Sequence, residues 1–346
     1  MSLALFASDL HGRASRYDAL FAAVAERRPS ALFLGGDLLP GAFADPVPGG
    51  FVEGWLLPRL AELRRGSAGR AFRLFAIPGN DDAAFRDGAF AEAERRGLLT
   101  WLDGRVDEWD GRPVLGYSCV PPTPFLLKDR ERYDVSRFVD PGCVSPEEGF
   151  HSVPFEAREA RLATIARDLE ALARGVDLSR GVCLFHAPPY RSRLDRAALD
   201  GRSVEHAPLD VHVGSVAIRR FLEARQPAVS LHGHVHESAR LTGEFRDRIG
   251  RTLCLSAAHD GPELALVSFD PDDPAAAARE LPRTAGSGER RPGRLPKRSP
   301  AAARPARRSA APGGPSRRSR RTRTRTGPPG RPARGSAPGP PAPRAR

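Results

Sequence analysis

The chain has 346 residues, with 54 Lys+Arg against 42 Asp+Glu and a formal net charge of +12. Residues 281–346 hold 19 of those basic residues and one acidic residue, which leaves the first 280 at −6, so the basic character of the whole does not mark the body as a nucleic-acid binder. No segment approaches the roughly 18 apolar residues of a membrane span, and four scattered cysteines without a CxxC pair argue against a disulfide framework or structural zinc and for buried free thiols in a reducing compartment.

Residues 3–8 (LALFAS) read as a short buried strand. No basic region precedes it and no small-residue cleavage site follows, so a secretory signal is not expected and a cytoplasmic location is. Residues 14–28 carry Tyr17, Leu20, Phe21 and Val24 at helical spacing, and Pro29 stops that helix. A buried strand at 31–34 ends at Gly35-Gly36-Asp37. A Gly/Pro-rich loop, a helix around 51–65 and a strand at 72–77 follow, the strand closed by Pro78-Gly79-Asn80. Asp81 and Asp82 stand where a new helix would begin, with Asp82 as its cap. Residues 104–118 read as a hairpin turning at Asp110-Gly111. The proline-rich stretch 119–153 is a long loop, of the kind that is functional or disordered.

A helix at 155–173 shows Leu162, Ile165, Leu169 and Leu172 on one face. Further on come a strand at 181–185 ending at His186, a helix at 215–225, and a strand at 228–231 leading to Gly233-His234-Val235-His236. Strands at 252–256 and 264–269 close the body. The alternation of strands and helices indicates an α/β fold. From 273 onward the chain is Arg/Pro/Gly/Ala/Ser, without an aromatic residue. Such a composition cannot offset its ordering entropy, so 1–272 is expected to be the folded domain and 273–346 a disordered tail.

The polar residues fall in a pattern. Asp9 and His11 follow the first strand, Asp37 the second, Asn80 the third, His186 a later one, and His234 and His236 the next. Loops after the carboxyl ends of strands in α/β sheets converge on one edge. Seven O- and N-donor side chains could meet there, and without a thiolate they suit Mn, Fe, Zn, Ni or Co. Seven donors exceed the needs of one ion, whereas two ions sharing a bridging carboxylate would use them all.

The series DxH, GD, GN, a strand-end His and GHxH, in that order over residues 3–270, resembles the calcineurin-like metallophosphoesterases. That resemblance implies a four-layer αββα sandwich of two mixed β-sheets flanked by helices. It also implies a first divalent metal ion on Asp9, His11 and His236, a second on Asn80, His186 and His234, and Asp37 between them. The implied activity is hydrolysis of a phosphate ester, with a hydroxide held between the two metals attacking phosphorus. Asp37, Asn80 and His234 are read as catalytic, with Asp81 a further candidate. The stretches around Ser118–Asp134 and Leu194–Ser215 also resemble a bacterial branch of the family.

The usual family motif is GNH followed by an acid; here it is GNDD, with Asp81 at the histidine position. An anion there repels a phosphomonoester dianion more than a diester, which favours a phosphodiesterase. Otherwise Asp81 is protonated and acts as an acid, or it points away. Taken singly, Asp9, His11, Asp37 and Asn80 are ordinary turn or capping residues; the set makes them ligands. His232 is read as structural, and His151, His206, His212 and His259 as surface or supporting residues. Arg191 and Arg193 could contact phosphate or belong to a solvated loop. The chain has two lysines, Lys128 and Lys297, against 52 arginines, so the basic tail reflects coding bias as much as any affinity for nucleic acid. Two other readings of the chain are a non-catalytic protein-binding scaffold on the same fold and a tail-directed nucleic-acid-binding protein or nuclease.

Overall fold

A computed structural model describes residues 2–41, 50–66 and 72–282. The first half is a run of parallel strands with helical crossovers. Strand β1 (Ala4–Ala7) leads to helix α1 (Ala14–Arg27), which ends where Arg28, just before Pro29, turns left-handed at φ 51°. Strand β2 (Ala31–Gly35) is followed by a π-helical turn (Val52–Leu56) running into α2 (Leu57–Gly66), and then by β3 (Arg73–Ile77). A 3-10 turn at Ala84–Arg86 opens α3 (Asp87–Arg95), and the two-residue β4 (Thr100–Trp101) follows. The hairpin β5 (Arg105–Trp109) and β6 (Arg112–Tyr117) turns at Asp110 and Gly111, both at positive φ (49° and 71°), as a primed two-residue turn requires.

The expected helix at 155–173 is two helices, α4 (Ala157–Leu162) and α5 (Ile165–Leu172). Thr164 interrupts it because it bridges to Tyr133 and caps α5, its hydroxyl accepting from the Arg167 amide. Beyond lie β7 (Val182–Phe185), the small pair β8 (Ser203–Val204) and β9 (Ala207–Pro208), α6 (Val216–Arg225) and β10 (Val229–His232). The short α7 (Ser238–Thr242), β11 (Arg246–Ile249), β12 (Thr252–Ser256) and β13 (Leu266–Asp270) complete the body, with β14 (Asp273–Glu280). That last strand corrects the expected boundary at 272. Residues 273–280 pair antiparallel with β13, Ala277 is buried, and Arg27 pairs with Glu280. The rest of the expected tail, 283–346, lies outside the described residues.

Two six-stranded sheets result, in the orders β14-β13-β1-β2-β3-β4 and β11-β12-β10-β7-β6-β5. Each has four adjacent parallel strands and antiparallel strands at its margin. Strand alternation then sorts the core into three layers. Phe6, Phe33, Phe75 and Ile77 of the first sheet meet Val114, Leu184, Leu231 and Leu255 of the second. Inside this layer Phe33 stacks on Phe75 at 5.3 Å and meets Trp109 edge-on at 5.5 Å. The other face of the first sheet (Leu5, Leu32, Leu74) packs on α1, α2 and α3 through Leu20, Leu60 and Phe90. The outer face of the second (Leu115, Cys183, Phe185) packs on Ile165, Leu169 and Leu222 of α5 and α6. The architecture is the four-layer αββα sandwich.

The long segment 118–156 is held by buried polar groups. Lys128 and Glu131, both with fully buried side chains, pair at 2.5 Å, and the ammonium also donates to the Thr123 carbonyl. Glu131 in turn accepts from the Thr123 amide. Asp129 accepts from the amides of Ala84 and Ser152, and Asp134 from those of Val216 and Ala217 at the start of α6. Removing one partner of a buried ion pair strands the other charge. Lys128→Met should therefore destabilise the fold by about 3–5 kcal/mol in urea unfolding, and a loss under 1 kcal/mol would show that the pair does not order this loop.

Candidate functional site

Each polar candidate sits just past a strand of one sheet or the other, and backbone bonds lace these turns together. The Asp9 amide donates to the Gly36 carbonyl at 2.9 Å and the His11 amide to that of Asp37 at 2.7 Å. Within the second sheet the Gly233 amide donates to the His186 carbonyl at 2.9 Å, and across the sheets the His234 amide donates to Asp9 Oδ1 at 3.0 Å. The crossings are tight enough to force the backbone. Asp9, His11, Asp37 and His234 are left-handed, at φ 55°, 49°, 51° and 73°, a conformation that side-chain-bearing residues adopt at a cost. A Cβ on Gly79 would collide with the Asp37 carboxylate, and one on Gly233 with Ser8 and Asp9. The glycines of the GN and GHxH motifs are thus the space into which the carboxylates fit.

The side chains converge. Donor atoms of Asp9, His11, Asp37 and His236 all lie within 4.8 Å of one another. His11 Nε2 and His236 Nε2 face each other at 3.2 Å, and His236 Nε2 is 3.3 Å from Asp9 Oδ1. Asp37 belongs to a second group as well: its Oδ2 is 3.8 Å from His11 Nε2 and 3.4 Å from His186 Nε2. His186 Nε2 is also 3.0 Å from Asn80 Oδ1, and the His186 and His234 rings stand 5.2 Å apart. The other ring nitrogen of His186 donates to the Gly35 carbonyl at 2.8 Å, which turns Nε2 toward Asp37 and Asn80, a supporting contact typical of ligating histidines.

Burial and charge set the protonation of this cluster. Burial alone raises the Asp9 carboxyl, but the hydrogen bond and charge of His236 hold it well below the usual carboxylate range, with help from His186 and His11. Burial is likewise overcome at Asp37, where His186 beside it keeps the carboxyl low. Burial opposes a proton on His186, yet Asp37 and Asp9 push its pKa up to about 10. His236 is also raised, since Asp9 outweighs its desolvation. His234 goes the other way, down to about 3, through burial and the charge of His186. Protons on His186 and His236 thus offset buried carboxylates that a cation would also offset. The donor set of carboxylates, imidazoles and an amide fits divalent cations of intermediate hardness.

The remaining candidates divide. Asp81 stays at the mouth, its Oδ2 3.7 Å from His11 Nδ1, and its amide donates to Asp37 Oδ1 at 2.9 Å. Its carboxyl is raised by burial and by Asp37. Asp82 is not a helix cap, because α3 begins only at Asp87. Its carboxylate is buried and accepts from the amides of Leu38, Leu39 and Gly79. His232 is fully buried, between the Ala187 carbonyl and the Ser230 hydroxyl. His151 stacks on Phe155, His212 donates to Asp195, and His259 meets Glu263. Arg193 pairs with Glu244 on the surface, and Arg191 lies over the Tyr190 ring.

Sequence reasoning missed Arg16, a buried guanidinium that donates to the Asp9 and Gly261 carbonyls. Its place on a helix face, one among many arginines, gave no signal.

Among the described residues no helix is long and apolar enough to cross a membrane. The chain matches the calcineurin-like phosphoesterase family over residues 3–238, and no curated protein matches it in sequence. One solved crystal structure is 17% identical with a TM-score of 0.51, the match covering 81% of this chain and 98% of that one. TT1561 of Thermus thermophilus is 15% identical, with a TM-score of 0.49 over 81% of this chain and 98% of its own. A novel archaeal phosphodiesterase is 9% identical, with a TM-score of 0.37 over 81% and 99%. At these identities the likeness is one of fold. The family match spans well over half of the chain and takes in every residue of the cluster, from Asp9 to His236, so the chain belongs to the calcineurin-like phosphoesterases.

Proposed function

We propose that the chain is a dinuclear metal-dependent phosphodiesterase whose ligands are Asp9, His11, Asp37, Asn80, His186, His234 and His236. The observation that carries this is the position of Asp37, whose Oδ2 faces His11 of one donor group and His186 of the other. Asp9, His11 and His236 would hold one cation, and Asn80, His186 and His234 the second, with Asp37 shared. Two such cations supply hydroxide near neutral pH and neutralise charge at phosphorus. The protein's part is to fix the donors: the Gly35 carbonyl orients His186 and the His234 amide orients Asp9. Mn, Fe, Zn, Ni and Co all suit the set. Every donor position is filled, which favours an enzyme over a scaffold. Four free cysteines, three of them buried, support a cytoplasmic location.

The preference for diesters rests on Asp81, whose side chain is 44% exposed at the mouth. A carboxylate there repels a dianionic monoester more than a monoanionic diester.

Three outcomes are expected. With added Mn, Asp37→Ala and His236→Ala should each lower kcat/KM on bis(p-nitrophenyl) phosphate by about 100-fold or more; equal rates in wild type and both variants would remove the enzyme reading. Asp81→Asn should raise hydrolysis of p-nitrophenyl phosphate relative to the diester by roughly 3- to 10-fold, and an unchanged ratio means Asp81 does not select. Cation binding must also displace the protons that His186 and His236 hold. Mn affinity should therefore rise with pH between about pH 6 and pH 9, with net proton release. Calorimetry in buffers of different ionisation enthalpy reads this, and pH-independent binding without proton release contradicts it.

A further inference from the structure

We infer that Asp82 is a positioning residue of the metal centre; this rests on the dinuclear reading above. The parallel pairing of β2 with β3 ends at Gly35 opposite Ile77. Asp37 and Asn80 both lie beyond that point, where no strand register holds one against the other. What joins them is a carboxylate. Asp82 Oδ1 accepts from the Leu39 amide at 2.8 Å, and Oδ2 accepts from those of Leu38 and Gly79, both at 2.9 Å. Leu38 follows Asp37 and Gly79 precedes Asn80, so one buried side chain grips both ligand-bearing turns. A return bond, the Asp81 amide to Asp37 Oδ1 at 2.9 Å, runs the opposite way.

The residue type follows from the donors. Three N–H groups meet an acceptor-only carboxylate, whereas an asparagine would turn an NH2 group toward at least one of them. Burying a second carboxylate beside Asp37 is unfavourable in itself. Its place here is accounted for by what it holds: the distance between the shared ligand Asp37 and Asn80, hence the fit of the cation that Asn80, His186 and His234 would take. Asp134 supplies a comparison within the same molecule. It too is a largely buried carboxylate with several donors, the Ser215 hydroxyl and the Val216 and Ala217 amides, but it holds the start of α6 and no ligand turn.

Titrate the full chain with MnCl2 by calorimetry as wild type, Asp82→Asn and Asp134→Asn, and record the melting temperature of each. Both variants should melt below wild type. Asp82→Asn should weaken binding of at least one Mn ion tenfold or more, while Asp134→Asn stays within about twofold of wild type. Wild-type affinity in Asp82→Asn, or equal weakening in the two variants, overturns the inference and leaves the dinuclear reading standing. A wild type that binds no Mn overturns the dinuclear reading and this inference with it. Should Asp82→Asn prove too unstable to titrate, Asp82→Glu is read by the rise in melting temperature on adding MnCl2. A smaller rise than in wild type supports the positioning role, and an equal rise overturns it.

Discussion

Two carboxylates, Asp9 and Asp37, are buried within reach of each other at the seam between two sheets, and the rest of the site is arranged around keeping them there. Unpaired charges at that depth are strongly unfavourable. Each is therefore met from several directions: Asp9 by the His234 amide and the His236 ring, Asp37 by the Asp81 amide and the His186 ring. Those partners come from turns far apart in sequence. The turns approach closely only because four donor residues accept left-handed backbone, at about 1–2 kcal/mol each, and because glycines leave room where the chains cross.

That local cost is carried by what lies beneath. Three apolar layers fix the two sheets face to face, and the parallel strands deliver their carboxyl ends to one margin. Each donor lies within four residues of a strand end, so little chain is left to wander. Where more chain intervenes, buried polar groups take over from register. Arg16 holds the Asp9 turn against the loop at 259–262; Lys128 ties the segment 118–156 to itself through Glu131, while Asp129 draws it onto the turn before α3 and Asp134 onto α6.

The legible part of the sequence was the part with strong local chemistry. Buried strands show as runs such as LFAI, and several are followed by a polar residue beside glycine, so the seven donors stand out although more than 200 positions separate the first from the last. Elements without such marks were not legible. β11 and β14 are arginine- or alanine-rich edge strands that depend on a neighbour for their pairing, and β4 has only two residues. Thr164 splits a helix because Tyr133, thirty-one positions earlier, comes to bridge it. Asp82 looks like any helix cap until the Leu38 and Leu39 amides arrive from another turn. These are contacts that local pattern does not encode.

The preference for arginine gives the Lys128–Glu131 pair an unintended use. Lys128 is the single ε-amine among the described residues, and its side chain is fully enclosed. Every other basic side chain there is a guanidinium or an imidazole, and neither forms a stable amide with amine-directed acylating reagents. Modification at Lys128, followed by mass spectrometry, would therefore report the opening of this loop, a built-in reporter of local unfolding.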